Sequence, residues 1–301
     1  MRRLVDRYLD LRRAMGFGMG VQGYLLRSFV QFAVLRGENH VRVQTAIAWA
    51  ALAPSEGQRA KRIGEVRRFA RFARAEDAFH EIPPNGVFVA RKVRYAPFLF
   101  TDKHVLDLVC RAARLTPVGS LRPWTYCTLF SLLAVSGMRI SEALALRLKD
   151  VTSDGLLIQQ TKFRKSRLVP LHPTASRGLA RYLDRRGALE NDAVFVSLRG
   201  TGLRYSTVNA TFLRLVRAMG IHPGPGHEGP RIHDLRHRFA LKVLEAGAPS
   251  YAIDQRMLAL STYMGHAEID STFWYLHATP RVLTQVSDSC EYLARDRRAC
   301  R

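Results

Sequence analysis

Acidic residues are scarce in this chain. Only 25 Asp and Glu stand against 47 Lys and Arg, a formal charge of +22 over 301 residues. Self-repulsion on that scale suits a protein that a polyanion normally neutralises. Long apolar runs are missing too. No stretch approaches the roughly 20 uninterrupted apolar residues of a membrane span, and Met1-Arg2-Arg3-Leu4 leads into charged helix rather than a signal-peptide core. Nucleic acid is therefore a better partner than a membrane, and the cytoplasm, at the bacterial nucleoid, is the expected location. The four cysteines, Cys110, Cys127, Cys290 and Cys300, are scattered, with neither CxxC nor metal-ligand spacing. They read as reduced intracellular thiols. His222 and His227 flank a Pro/Gly-rich stretch without thiolates or carboxylates at ligand spacing, which reads as a surface turn. No metal and no cofactor is expected. Internal repeats and low-complexity blocks are absent as well.

What is present is a 47% hydrophobic fraction, enough for real cores, in a length that suits two domains. The positive charge is mostly arginine, whose planar fork can hold a phosphate in two hydrogen bonds. Helical patterns run over Leu4–Ala14, Tyr24–Leu35, Val43–Ala51 and Gln58–Glu76, broken by Gly16-Phe17-Gly18, Gly37-Glu38-Asn39 and Pro54-Ser55. This predicts a small all-helical domain over 1–82. In its last helix Ile63, Val66, Ala70 and Ala73 form one stripe, while Arg67, Arg71 and Arg74 share an adjoining face. That face suits a DNA backbone or simply water. Residues 83–97 read as a linker that touches DNA phosphate, because Pro83 and Pro84 forbid helix and a basic run with Arg91, Lys92 and Arg94 follows.

The rest, 98–301, reads as a second, mostly helical domain with a small antiparallel sheet. Thr101 is an N-cap for a helix through Arg114, and the apolar run Trp124–Val135 is a buried helix ended by Gly137. Short β-like runs at Gly155–Thr161 and Arg167–Leu171 enclose Lys162-Phe163-Arg164-Lys165-Ser166, a hairpin with a basic turn. Helices are expected over Pro173–Arg186, Ser206–Met219, His233–Ala246, Tyr251–Tyr263 and Ile269–Tyr275.

Four separate places carry groups suited to phosphate or proton chemistry. Arg139 follows a glycine break at a helix start, where backbone N–H groups also favour an anion. His233 and Arg236 stand at i, i+3 on one helix face. Met264-Gly265-His266 sets a histidine beside a glycine, and Phe273-Trp274-Tyr275-Leu276 supplies a tyrosine. With Lys162, the set Arg139, His233, Arg236, His266 and Tyr275 is what phosphodiester transesterification without a metal requires: guanidiniums for the non-bridging oxygens, a hydroxyl nucleophile, and proton donors and acceptors.

In this order, the set resembles the tyrosine recombinase (phage integrase-like) family, whose signature is an Arg box, a β-hairpin Lys, an HxxR helix, a Gly-His and a downstream Tyr. The resemblance is close from about Phe98 to Pro280, and looser over the helical region as the family's core-binding domain. It implies a C-shaped clamp on double-stranded DNA and a tetramer that exchanges strands without ATP or metal. Tyr275 would form a 3′-phosphotyrosine, with Arg139, Arg236 and His266 on the phosphate, His233 assisting proton transfer and Lys162 protonating the leaving oxygen. Lys165 shares the turn and leaves that last role open between the two lysines, and Arg164 and Lys165 join the DNA-contacting candidates. The ending Thr272–Pro280 looks most like recombinases of mobile elements, some of which work beside sister recombinases. Past Pro280, Val282, Leu283, Val286 and Tyr292-Leu293 suggest one more helix, read either as a contact swapped between protomers or as a basic tail on DNA. A type IB topoisomerase, or an accessory DNA-binding recombinase in a multi-protein element, are the rival readings.

Overall fold

The computed structural model describes residues 1–89, 97–159, 166–223, 229–246 and 253–265. The chain is mostly helical, with one small sheet, and divides into two compact units, Met1–Arg94 and Tyr95–Arg301. No described helix is long and apolar enough to cross a membrane.

The first unit holds α1 (Arg2–Ala14), α2 (Gly20–Val34), α3 (Val43–Ala51) and α4 (Glu56–Glu76). Each is too short or too charged to persist alone, and each buries one apolar face. Val5, Leu9, Leu26, Phe29, Trp49, Val66 and Phe69 form the shared core. Phe29 meets Trp49 edge to face, with ring centroids 5.5 Å apart. Ser55 starts α4 by accepting the Gln58 N–H through its hydroxyl. The stripe Ile63, Val66, Ala70 and Ala73 is buried as expected.

The second unit holds α5 (Asp102–Ala112), α6 (Leu121–Ser136), α7 (Ile140–Ala145), β1 (Val151–Thr152), β2 (Gly155–Ile158), β3 (Arg167–Val169), α8 (Pro173–Arg186), α9 (Tyr205–Ala218), α10 (His233–Glu245) and α11 (Ile253–Met264). Thr101 accepts the His104 N–H and the His104 ring accepts the Thr101 N–H, a reciprocal cap that fixes the start of α5. α6 packs against α5, α8 and α10, which is why its sequence is apolar all round rather than amphipathic. The strands lie antiparallel in the order β1-β2-β3, with Leu156 opposite Val169 and Ile158 opposite Arg167. β1 is an addition to the expected hairpin: two residues carry no period-2 signal.

Candidate active site

α6 ends on Gly137, whose φ of 60° is left-handed. A Cβ there would lie 2.2 Å from a Phe239 ring atom of α10, so glycine is required both for the turn and for the approach of α10. Two residues later Arg139 takes the N-cap position of α7. Its Nη1 donates to Glu142 Oε1 at 2.8 Å and its backbone N–H to Glu142 Oε2 at 2.9 Å, while Nη2 donates to the Gly265 carbonyl at 3.0 Å. The side chain keeps 28% of its surface open to solvent, so N–H groups beyond those bonds can meet an anion.

Arg236 is set deeper, 2% exposed. It donates to the Gly137 carbonyl at 2.7 Å and to the Met264 carbonyl at 2.6 Å, tying the end of α6 to the end of α11. Tyr263 reinforces the same junction, its hydroxyl donating to the Ser136 carbonyl at 3.0 Å. The Arg box, the HxxR helix and the residues just before His266 are thus joined, across 99, 28 and 126 residues of chain.

His233 opens α10 and presents an exposed edge. Crowding of the ring and then the guanidiniums of Arg236, Arg139 and Arg231 bring its pKa down to about 4, against a weaker opposite pull from Glu142. Near neutral pH the imidazole is then uncharged and able to accept a proton. Next to it Asp234 is fully buried, accepts the backbone N–H of Arg231 at 2.8 Å, and has its pKa raised by burial.

Two contributors lie outside the motif set read from the sequence. Glu142 stands at the third position of α7, where a carboxylate returns to the N-cap. That spacing was the available signal. Arg167 donates to Glu142 at 3.1 and 2.7 Å, so the two carboxylate oxygens are shared between two arginines. Burial works against the charged form, but the bonds from Arg167 and Arg139 outweigh it and hold the carboxyl at about 2.

Lys162, His266 and Tyr275 lie outside the described residues, as do Arg91, Lys92, Arg94, Arg164 and Lys165, most of the basic part of the linker, and the helices expected at Ile269–Tyr275 and past Pro280. In α4, Arg71 and Arg74 are exposed. Arg67 instead donates to the carbonyls of Pro83 (2.8 Å) and Pro84, pinning the segment that leaves the unit. Its pKa is lowered by burial and by the charges of Arg71 and Arg68.

His40, Asp77 and His80 in the first unit bring three donor atoms within 4.8 Å of one another. Each already has a local partner. His80 Nδ1 accepts the Val41 N–H at 2.9 Å, which puts the proton of a neutral ring on Nε2, and His40 Nε2 meets Asp77 at 2.9 Å. The donor set fits cross-linking of 40–41 to 77–80 better than a metal ion.

Residues 101–281 match the Phage integrase family. The integrase/recombinase y4rB of Sinorhizobium fredii is 36% identical, over 98% of this chain and 98% of its own. Among solved structures, the Tn1549 transposon integrase in complex with transposon right-end DNA covers 97% of this chain and 98% of its own, with a TM-score of 0.64 at 16% identity. A lambda integrase tetramer bound to a Holliday junction covers 89% of this chain and 77% of its own, with a TM-score of 0.59 at 20% identity. With the family match spanning more than half of the chain and a full-length relative above 30% identity, this protein belongs to the phage integrase family of tyrosine recombinases and is a DNA breaking-and-rejoining enzyme of site-specific recombination.

Proposed function

We propose that the chain recombines DNA through a covalent 3′-phosphotyrosine on Tyr275, with neither divalent metal nor ATP. The observation that carries this reading is the junction where Arg139 holds the Gly265 carbonyl and Arg236 holds those of Gly137 and Met264. It supports one site made from the Arg box, the HxxR helix and the residues leading to His266. Arg139 and Arg236, with His266, would bind the non-bridging oxygens, where charge grows in the transition state. The Tyr275 hydroxyl would attack phosphorus and pass its proton toward His233, whose uncharged ring suits the task. As the bond to the 5′-oxygen breaks, that oxygen would take a proton from Lys162, with Lys165 the alternative donor. The phosphotyrosine preserves the bond energy for rejoining, so no nucleotide is consumed.

Duplex DNA is the partner, and a tetramer on two sites is the assembly that would exchange strands. The +22 charge supports the first of these. Residues 1–82 would serve as the core-binding domain, 83–97 as the linker and 98–301 as the catalytic domain, working on DNA in the cytoplasm. Sister recombinases of the same mobile element are a further partner class.

A nicked suicide substrate carrying the natural site should trap a covalent adduct in EDTA. Tyr275→Phe should bind the same DNA and trap nothing. An adduct formed by the Phe variant, or a strict need for Mg²⁺, would overturn the proposal.

A further inference from the structure

We propose that Arg167 is a positioning residue: through Glu142 it locks the base of the β2–β3 hairpin, and with it the lysine-bearing turn, to the start of α7 that presents Arg139. This rests on the proton-donor role proposed above for the hairpin.

Arg167 is the first residue of β3 and pairs across the sheet with Ile158. Lys162 and Lys165 fall in the sequence between these two residues, in a stretch that also holds Arg164. The three-residue β3 has few ladder bonds of its own, and the Arg167 guanidinium adds a side-chain anchor at its first residue. It grips both oxygens of Glu142, at 3.1 and 2.7 Å, with side-chain exposures of only 14% and 8%. The same two oxygens hold the Arg139 backbone N–H and its Nη1. The guanidinium also lies against the residue preceding His266, since a Cβ on Gly265 would sit 3.0 Å from Arg167 Nη1. One buried two-bond contact therefore ties together the hairpin base, the phosphate-facing arginine and the Gly265 turn.

Two-point contact fixes direction as well as distance, which a lysine in the same place cannot do. Proton donation to a leaving oxygen depends on that direction. Positioned acids contribute ~10²–10⁴-fold, and a displacement of about 1 Å can cost ~10²-fold.

The test is single-turnover cleavage of two suicide substrates, one with the ordinary 5′-bridging oxygen and one with sulfur, whose thiolate leaves with little need of a proton. Arg167→Gln should bind DNA as the wild type does, cleave the oxygen substrate about 10²-fold more slowly, and regain most of that loss on sulfur. Arg167→Lys should fall between, with the same rescue, and serves in place of the Gln variant if that one fails to fold. In a Lys162→Ala/Lys165→Ala background, Arg167→Gln should cost almost nothing more. Wild-type cleavage by Arg167→Gln, equal loss on both substrates, or full additivity with loss of the lysines would each overturn the proposal. If the lysine-free enzyme itself gains nothing from sulfur, the donor role of the hairpin falls. The additivity measurement alone then decides whether Arg167 acts through the hairpin.

Discussion

Glu142→Gln keeps the size of the buried side chain but replaces an acceptor of four donors with an amide that presents an N–H₂ group to a guanidinium. The carboxyl sits at about 2 in the folded chain against an ordinary 4.5. Linkage converts that gap to about 3 kcal/mol of stability at neutral pH, at about 1.4 kcal/mol per unit. The sign follows from the depressed value: the contribution is complete above about 4.5 and is lost as pH falls toward 2. At pH 3.5 about 2 kcal/mol should remain. Two units in one chain make a single denaturation curve hard to assign. Hydrogen exchange in peptides covering α6 and α7 reports the opening of the second unit alone. The difference between wild type and Glu142→Gln should be about 3 kcal/mol at pH 7 and shrink by roughly one third at pH 3.5. A difference that is small at pH 7, or that stays constant with pH, would refute the argument that this carboxylate is held charged by two arginines.

Gly137→Ala adds a methyl group 2.2 Å from Phe239 at a left-handed φ; backbone strain and overpacking together should cost about 2–5 kcal/mol, read as a lower Tm and lost cleavage, and a near-neutral effect would mean that α10 can shift freely. His233 should titrate near 4 in the free protein, so its contribution is complete above about 6.5 and declines as pH falls through 4; imidazole NMR shifts check this, and bound DNA phosphate should raise the value. Removing the exposed Arg71 or Arg74 should lower the slope of log affinity against log salt by about 0.9 each if each meets a phosphate, whereas Arg67→Ala should mainly loosen the segment after Pro83, seen as faster hydrogen exchange there.

Most helices were legible because their signals are local. α3 and α8 begin and end where the apolar pattern and Pro173 place them, and Thr101 and Gly137 act as the cap and the stop that their chemistry suggests. α2 starts four residues earlier than expected, at Gly20. Glycines at 20 and 23 look like breakers in sequence, but Gly23 is there to let α1 close in, since a Cβ would meet Leu9 at 3.3 Å. In the candidate site, Arg139, His233 and Arg236 could be nominated from residue type and order. The carbonyl seats of Arg236 and the carboxylate shared by Arg139 and Arg167 could not, because they join residues that are distant in sequence through backbone atoms or through a charge with no motif.

The seat of Arg236 also sets a time order on the birth of the enzyme. Its two carbonyls belong to Gly137 and Met264, 99 residues before it and 28 after it. A ribosome that has finished α10 has therefore made Arg139, His233 and Arg236 but not the second carbonyl, nor the Gly265 oxygen that Arg139 requires. A nascent or truncated chain can carry most of the basic residues and still lack the second carbonyl seat of Arg236. For a DNA breaking-and-rejoining enzyme, most of the positive charge is therefore made before the contacts that seat Arg139 and Arg236 can be completed.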